Sequence, residues 1–72
     1  MKLTRENTYI EGTRVRITAG YNKGKLAVIV HRDFFKDGIQ FQNYRVSVDG
    51  REGLFAAYHQ DVELISRPSS PE

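Results

Sequence analysis

Residues 12–30 read GTRVRITAGYNKGKLAVIV, and this stretch decides the fold. Before the turn, apolar Val15 and Ile17 alternate with arginines, and after the turn nearly every side chain is apolar. Alternation predicts a half-buried β-strand, whereas a strand that is apolar on both faces is typical of a central position in a sheet. Between them, residues 20–24 form a turn signal in which the glycines and Asn22 tolerate positive φ angles. The sequence therefore predicts a β-hairpin with a basic tip.

The chain beyond this hairpin contains three more strand patterns. Residues 41–48 and 51–57 flank an aspartate–glycine pair, which is a strong hairpin signal. Residues 58–61 do not alternate and favour a single 3₁₀ turn, and residues 62–65 form a short last strand. Small sheets avoid open edges by curling into barrels. We therefore predict an all-β fold, a small five-stranded SH3-like barrel with one 3₁₀ turn before the last strand.

With 72 residues, the chain is expected to form one domain. We expect an N-terminal segment at residues 1–10, in which Tyr9 and Ile10 either add an edge strand or cover one end of the core. The barrel is predicted for residues 11–66, and a disordered Pro/Ser-rich tail for residues 67–72. Cysteine is absent and no apolar run has the length of a signal peptide or membrane span. These features predict a cytoplasmic protein.

Charge is unevenly distributed along the chain, although the formal net charge is only +2. Residues 12–32 carry five basic side chains and no acidic one, whereas residues 33–72 carry seven acidic and four basic side chains. A basic patch concentrates positive potential and attracts polyanions such as nucleic acids. Alternatively, solvated charges on a strand face protect a sheet edge from aggregation.

The basic side chains of the hairpin are candidate contacts with phosphates. Arg14 and Arg16 share one strand face about 7 Å apart, a spacing that matches successive phosphates. Lys23 and Lys25 flank the tip, where backbone N–H groups are also available. Tyr21 beside them either stacks on a base or packs over the turn. Because the sequence has no helical reader or aromatic pair typical of base recognition, we expect contacts directed by backbone and shape.

The hairpin also resembles the KOW motif, whose glycines and alternating apolar residues match these positions: Gly12, Val15, Ile17, Gly20, Lys23, Gly24, Val28 and Val30. The chain has Ala27 where that family usually has glycine. KOW domains are SH3-like barrels of ribosomal proteins and NusG-type elongation factors, and their first hairpin contacts RNA, DNA or a protein partner. The resemblance implies a binding module in a transcription- or translation-related assembly, with the ribosome or RNA polymerase as the larger complex. It implies these contact residues: Arg14, Arg16, Tyr21, Asn22, Lys23 and Lys25.

A second resemblance favours a protein partner. Residues 44–65 are similar to small SH3-like subunits of protein complexes, in which the barrel binds protein. Phe34 and Phe35 are adjacent and face opposite ways on a strand, so one enters the core and the other becomes an exposed protein-binding anchor. Alternatively, both cover the end of the barrel. The alternative function is a protein–protein adaptor or small regulatory subunit, of a kind that phages and plasmids also encode.

The sequence does not indicate enzyme chemistry. His31 and His59 each precede an aspartate by two residues, but neither has a serine nucleophile in a recognisable context. Zinc normally takes three or four protein ligands, and the chain has two histidines and no cysteine. We expect His31 to be half-buried on its strand and His59 to donate to a backbone carbonyl. We predict a monomer with no catalytic residue, metal or cofactor and no membrane contact.

Overall fold

The computed structural model describes residues 2–68, which form an all-β fold without an α-helix. The elements are the 3₁₀ turn Arg5–Asn7, β1 (Arg14–Ile17), β2 (Leu26–Phe34), β3 (Phe41–Val48), β4 (Leu54–Ala57), the 3₁₀ turn His59–Asp61 and β5 (Val62–Ser66). The strands pair antiparallel in one five-stranded sheet with the order β4-β3-β2-β1-β5. No pairing joins β4 to β5 within residues 2–68, so the sheet is open and the SH3-like barrel stays a prediction.

The β1–β2 hairpin forms as its alternation predicts. Val15 and Ile17 are buried on β1, and the arginines on either side of Val15 are exposed. Gly20 and Gly24 have φ angles of +87° and +89°, a conformation that other residues adopt only with strain. Asn22 tolerates this conformation but does not adopt it, and only glycines have positive φ in the described chain. The two glycines alone make the turn tight.

β2 is the central strand of the sheet, as predicted. Its fully buried side chains are Ala27 and Ile29. A β-bulge between Ile29 and His31 places Val30 as an extra residue opposite β3, and Val30 is 46% exposed. Bulges bend a strand and redirect its side chains. His31 is consequently 63% exposed, and the prediction that it is half-buried is wrong.

The core consists of side chains from all five strands: Val15, Ile17, Ala27, Ile29, Phe41, Tyr44, Val46, Val48, Ala57 and Val62. Tyr44 is the largest of the fully buried side chains. Phe55 is partly buried and packs against this core. β4 begins at Leu54, three residues after the predicted start, because the loop at residues 49–53 holds two glycines with φ angles of +82° and +83°.

The N-terminal segment covers one end of the core. A short 3₁₀ turn at Arg5–Asn7 is capped by Thr4, whose hydroxyl accepts from the backbone N–H of Glu6 at 3.3 Å. The backbone N–H of Phe41 donates to the carbonyl of Leu3 at 2.9 Å, and that of Tyr9 donates to the Tyr44 hydroxyl at 3.0 Å. The segment adds no strand to the described sheet, so covering is the expected alternative that the structure adopts.

The chain after β4 follows the prediction. The 3₁₀ turn His59–Asp61 leads directly into β5, Val62–Ser66, which pairs with β1. Arg67 and Pro68 continue without regular secondary structure. The rest of the predicted disordered tail, residues 69–72, lies outside the described residues.

Candidate nucleic-acid interface

The tip of the β1–β2 hairpin carries two exposed lysines. Lys23 and Lys25 lie on either side of Gly24, and the N–H of Lys25 donates to the carbonyl of Asn22 at 3.0 Å. Neither ammonium group forms a salt bridge with any acid of the described chain. Both charges are therefore held at a short, hydrogen-bonded turn and are not neutralised by a neighbouring carboxylate.

Arg14 and Arg16 share the exposed face of β1, as predicted, but each is paired with an acid. Nη2 of Arg14 lies 3.9 Å from Oδ2 of Asp49, and Nη1 of Arg16 lies 3.1 Å from Oε1 of Glu63. Glu63 is on β5, which pairs with β1, and Asp49 follows β3 and is hydrogen-bonded to the start of β2, so acids from the acidic part of the sequence reach the basic strand. Each arginine side chain is about half exposed, and exposed pairs contribute only about 0–1 kcal/mol. A phosphate can therefore compete for these arginines, but they are not free cations.

Tyr21 projects from the tip and is 83% exposed. The guanidinium carbon of Arg51 lies 4.7 Å from the centroid of its ring, within the range of a cation–π contact. Arg51 belongs to the loop between β3 and β4, and sequence analysis did not include it in the site. No local pattern places Arg51 beside Tyr21, because only the pairing of β1, β2 and β3 brings the two loops together.

Asn22 differs from its neighbours at the tip because it is only 7% exposed. Its Oδ1 is buried and accepts no hydrogen bond from the part of the chain that the structure describes. A buried amide oxygen without a donor is unusual in a folded protein. Of the six predicted contact residues, Tyr21, Lys23 and Lys25 are exposed together at the tip, the two arginines are paired on β1, and Asn22 lies beneath the turn.

A cleft of about 280 Å³ opens beside the tip. Its lining comes from β1, the tip, β4 and the second 3₁₀ turn, and includes Ile17, Tyr21, Asn22, Phe55, Tyr58 and Asp61. Tyr58 is 60% exposed. The N–H of Thr18 donates to the carbonyl of Asp61 at 2.8 Å, which fastens the base of the tip to the 3₁₀ turn. A backbone hydrogen bond therefore joins two walls of the cleft, the one formed by the hairpin and the one formed by the 3₁₀ turn.

The two adjacent phenylalanines separate as one of the predicted alternatives requires. Phe34 is partly buried against the core, with its ring centroid 6.0 Å from that of Phe41 in an edge-to-face contact. Phe35 is 46% exposed, and Ile39 in the same loop is 62% exposed. Phe35 is thus the one of the pair that presents a large apolar surface to solvent.

The histidines have structural partners. Nδ1 of His59 lies 2.6 Å from the Tyr44 hydroxyl, which already accepts from the N–H of Tyr9. His59 is therefore hydrogen-bonded to a phenol, and the predicted backbone-carbonyl partner of His59 is wrong. Burial raises the pKa of Tyr44 to about 12, so the phenol stays neutral. On the opposite side of β2, Nε2 of His31 lies 3.3 Å from Oδ1 of Asp33.

The carboxylate of Asp33 also accepts from Nε of Arg45 at 2.8 Å and from Nδ2 of Asn43 at 3.1 Å. The hydrogen bond from Arg45 is the main cause that lowers the pKa of Asp33, and the bond from Asn43 acts in the same direction.

Residues 2–68 contain no group of three or more histidine, aspartate and glutamate side chains placed to hold a metal ion. No helix in this range is long and apolar enough to cross a membrane. No family model, curated protein or solved structure matches the chain.

Proposed function

We propose that this chain is a non-catalytic module that binds the backbone of RNA or DNA through the tip of its β1–β2 hairpin. The observation that carries the proposal is the arrangement around Tyr21. Lys23 and Lys25 have no acidic partner in the described chain, and Arg51 adds a third cation from another loop. Lysines act on phosphates as point charges, and an exposed tyrosine stacks on any base, so the contacts do not depend on sequence.

Arg14 and Arg16 extend this surface along β1. Their carboxylate partners are on the protein surface, where a pair contributes about 0–1 kcal/mol, so exchanging a carboxylate for a phosphate is inexpensive. We expect them to contribute less to affinity than the lysines, because each must leave an acid first. The acids also keep the net charge of the surface low, which favours weak binding.

The proposal includes the architecture and the cellular setting. The strand order, the bulged central strand and the 3₁₀ turn before β5 support an SH3-like barrel of KOW character. A module of this kind works beside a larger machine, so we propose a monomeric cytoplasmic protein that joins the ribosome or RNA polymerase in translation or transcription. Its role there is to hold nucleic-acid backbone near the machine.

The test is the salt dependence of binding. A fluorescently labelled RNA or duplex DNA should bind the wild-type chain at low salt, and its affinity should fall steeply between about 50 and 200 mM salt. Lys23→Ala and Lys25→Ala should each reduce the slope of log K against log salt by about one unit. Lys36→Ala is the matched control, because this exposed lysine lies in the loop at the other end of β2 and should leave the slope unchanged. Absence of binding to any nucleic acid at low salt would overturn the proposal.

The exposure of Phe35 and Ile39 favours a second candidate, a protein–protein adaptor or small regulatory subunit. An exposed aromatic side chain next to an exposed aliphatic one is a typical interface anchor. Under this alternative, Phe35→Ala should abolish capture of a partner from nuclease-treated lysate without lowering the melting temperature. Retained capture by that variant would exclude Phe35 as the anchor.

A further inference from the structure

We infer, on the basis of the proposed function, that the ligand is a single-stranded nucleic acid and that the cleft beside the hairpin tip takes one of its unpaired bases. The proposal concerns the cleft lined by Ile17, Tyr21, Asn22, Phe55, Tyr58 and Asp61. Backbone contact by the lysines alone would not distinguish one strand from two. The walls of the cleft do distinguish them, because their aromatic and apolar side chains can contact only a base that is not stacked in a duplex.

The aromatic side chains of the cleft are placed for stacking. Tyr21 is in the turn between β1 and β2, and Tyr58 follows β4. Both line the cleft, and they are 83% and 60% exposed. Solvent-exposed tyrosines on a binding surface stack with bases, and every base has a flat face. In a duplex those faces are covered by neighbouring base pairs. The two tyrosines therefore favour a strand whose bases are free.

The size of the cleft agrees with a base. A volume of about 280 Å³ is near the lower end of the roughly 300–1,000 Å³ range of ligand pockets. Such a volume suits one aromatic ring system and excludes a base pair. Ile17 and Phe55 supply apolar walls, so a base would exchange contact with water for contact with carbon.

The acidic group of the cleft favours a base that donates N–H groups. Asp61 contributes a carboxylate to the lining, and a carboxylate accepts hydrogen bonds and repels phosphate. Cytosine and adenine each carry an exocyclic amino group, which thymine lacks. We therefore expect the amino-bearing bases to occupy the cleft.

The cations define where the backbone of the strand runs. Lys23 and Lys25 follow Tyr21 at the tip and do not line the cleft, so their charges are available to phosphates outside it. Arg51 lies over the Tyr21 ring and supplies a further positive charge at the same place. A base in the cleft and phosphates on the lysines belong to one nucleotide chain, so one strand can make both contacts.

The experiment compares three labelled probes of equal length at low salt: single-stranded oligo-dC, single-stranded oligo-dT and a mixed-sequence duplex. Wild type should bind the single strands more tightly than the duplex, and oligo-dC more tightly than oligo-dT. Tyr58→Ala should weaken single-strand binding by about 5- to 150-fold and leave duplex binding unchanged. Tyr58→Phe keeps the stacking face and should bind nearly as wild type. Ile39→Ala removes an exposed apolar side chain outside the cleft and is the matched control.

Three outcomes decide the inference. Equal affinity for single strand and duplex, with Tyr58→Ala like wild type, would overturn the role of the cleft while backbone binding stands. No binding to any probe would overturn the proposed function and this inference together. Loss of a protein partner by Tyr58→Ala in nuclease-treated lysate, without nucleic-acid binding by wild type, would assign the cleft to a protein and overturn the inference. The melting temperature of each variant shows that it is folded, which the 60% exposure of Tyr58 leads us to expect.

Discussion

Arginine–aromatic contacts occur at both ends of β2, and their surroundings are opposite. Before the strand, Arg51 lies 4.7 Å from the ring of Tyr21, which is 83% exposed. At its last residue, Arg5 lies 4.1 Å from the ring of Phe34, which is partly buried and packs on the core. Arginine contacts therefore involve a mostly exposed ring at one end of β2 and a ring partly buried against the core at the other.

The cations around each contact show the same difference. Near Phe34, the side chain of Arg32 is only 10% exposed and donates two hydrogen bonds to Glu11, at 3.2 and 3.3 Å. It also donates to the Arg5 carbonyl at 3.0 Å and to the Thr8 hydroxyl at 3.2 Å. At the tip, the lysines form no salt bridge within residues 2–68. At one end of β2, Arg32 holds the N-terminal segment to the strand. At the other end, the lysines remain available to a ligand.

The largest expected effect comes from truncating the two aromatic rings. Phe34→Ala should lower the free energy of unfolding by about 2–4 kcal/mol, because it removes packing against the core. Tyr21→Ala should change it by less than about 0.5 kcal/mol, since an exposed ring loses little on truncation. Urea unfolding followed by circular dichroism measures both. Similar losses for the two variants would show that the tip is part of the folded core, contrary to the comparison.

An intermediate effect is expected from the cations. Arg32→Ala should lower the free energy of unfolding by about 1–3 kcal/mol, because it leaves Glu11 and the Arg5 carbonyl without their donor. Lys25→Ala should stay within about 0.5 kcal/mol of wild type. Thermal unfolding at neutral pH compares the two variants directly. If Lys25→Ala were the more destabilising variant, Lys25 would stabilise the fold, contrary to its lack of a salt bridge within residues 2–68.

The smallest effect concerns acid stability at the Phe34 end. The pKa of Asp33 is lowered in the folded state, so its contribution is complete above the unfolded value of about 3.9 and is lost as pH falls through the lower folded value. The wild-type melting temperature should therefore fall more steeply below about pH 4 than that of Asp33→Asn. The effect is modest because the carboxylate is partly exposed and screened. Tyr21→Ala, at the other end, should show the same fall of melting temperature with pH as wild type. An identical fall in all three proteins would show that Asp33 does not contribute to acid stability.

Local pattern determined the parts of the molecule that depend on neighbouring residues. Alternation predicted β1 and its buried Val15 and Ile17, and the apolar run predicted the central place of β2. The opposite directions of adjacent side chains predicted two alternatives for Phe34 and Phe35, and the structure has the one in which they separate. These outcomes follow because the strand period and turn chemistry are properties of a few consecutive residues.

Tertiary structure alone decided which candidate site residues are free. Glu63 lies 47 residues after Arg16 and reaches it only because β5 pairs with β1. In the same way, the folding of the sheet brings Arg51 to Tyr21 and places Tyr44 within hydrogen-bond distance of His59. Burial, salt bridges and shared clefts depend on distances between residues far apart in the chain, and no local period encodes those distances. The amino-acid sequence therefore determined the strands and the basic hairpin, and the packing of the sheet determined which of its charges remain open to a partner.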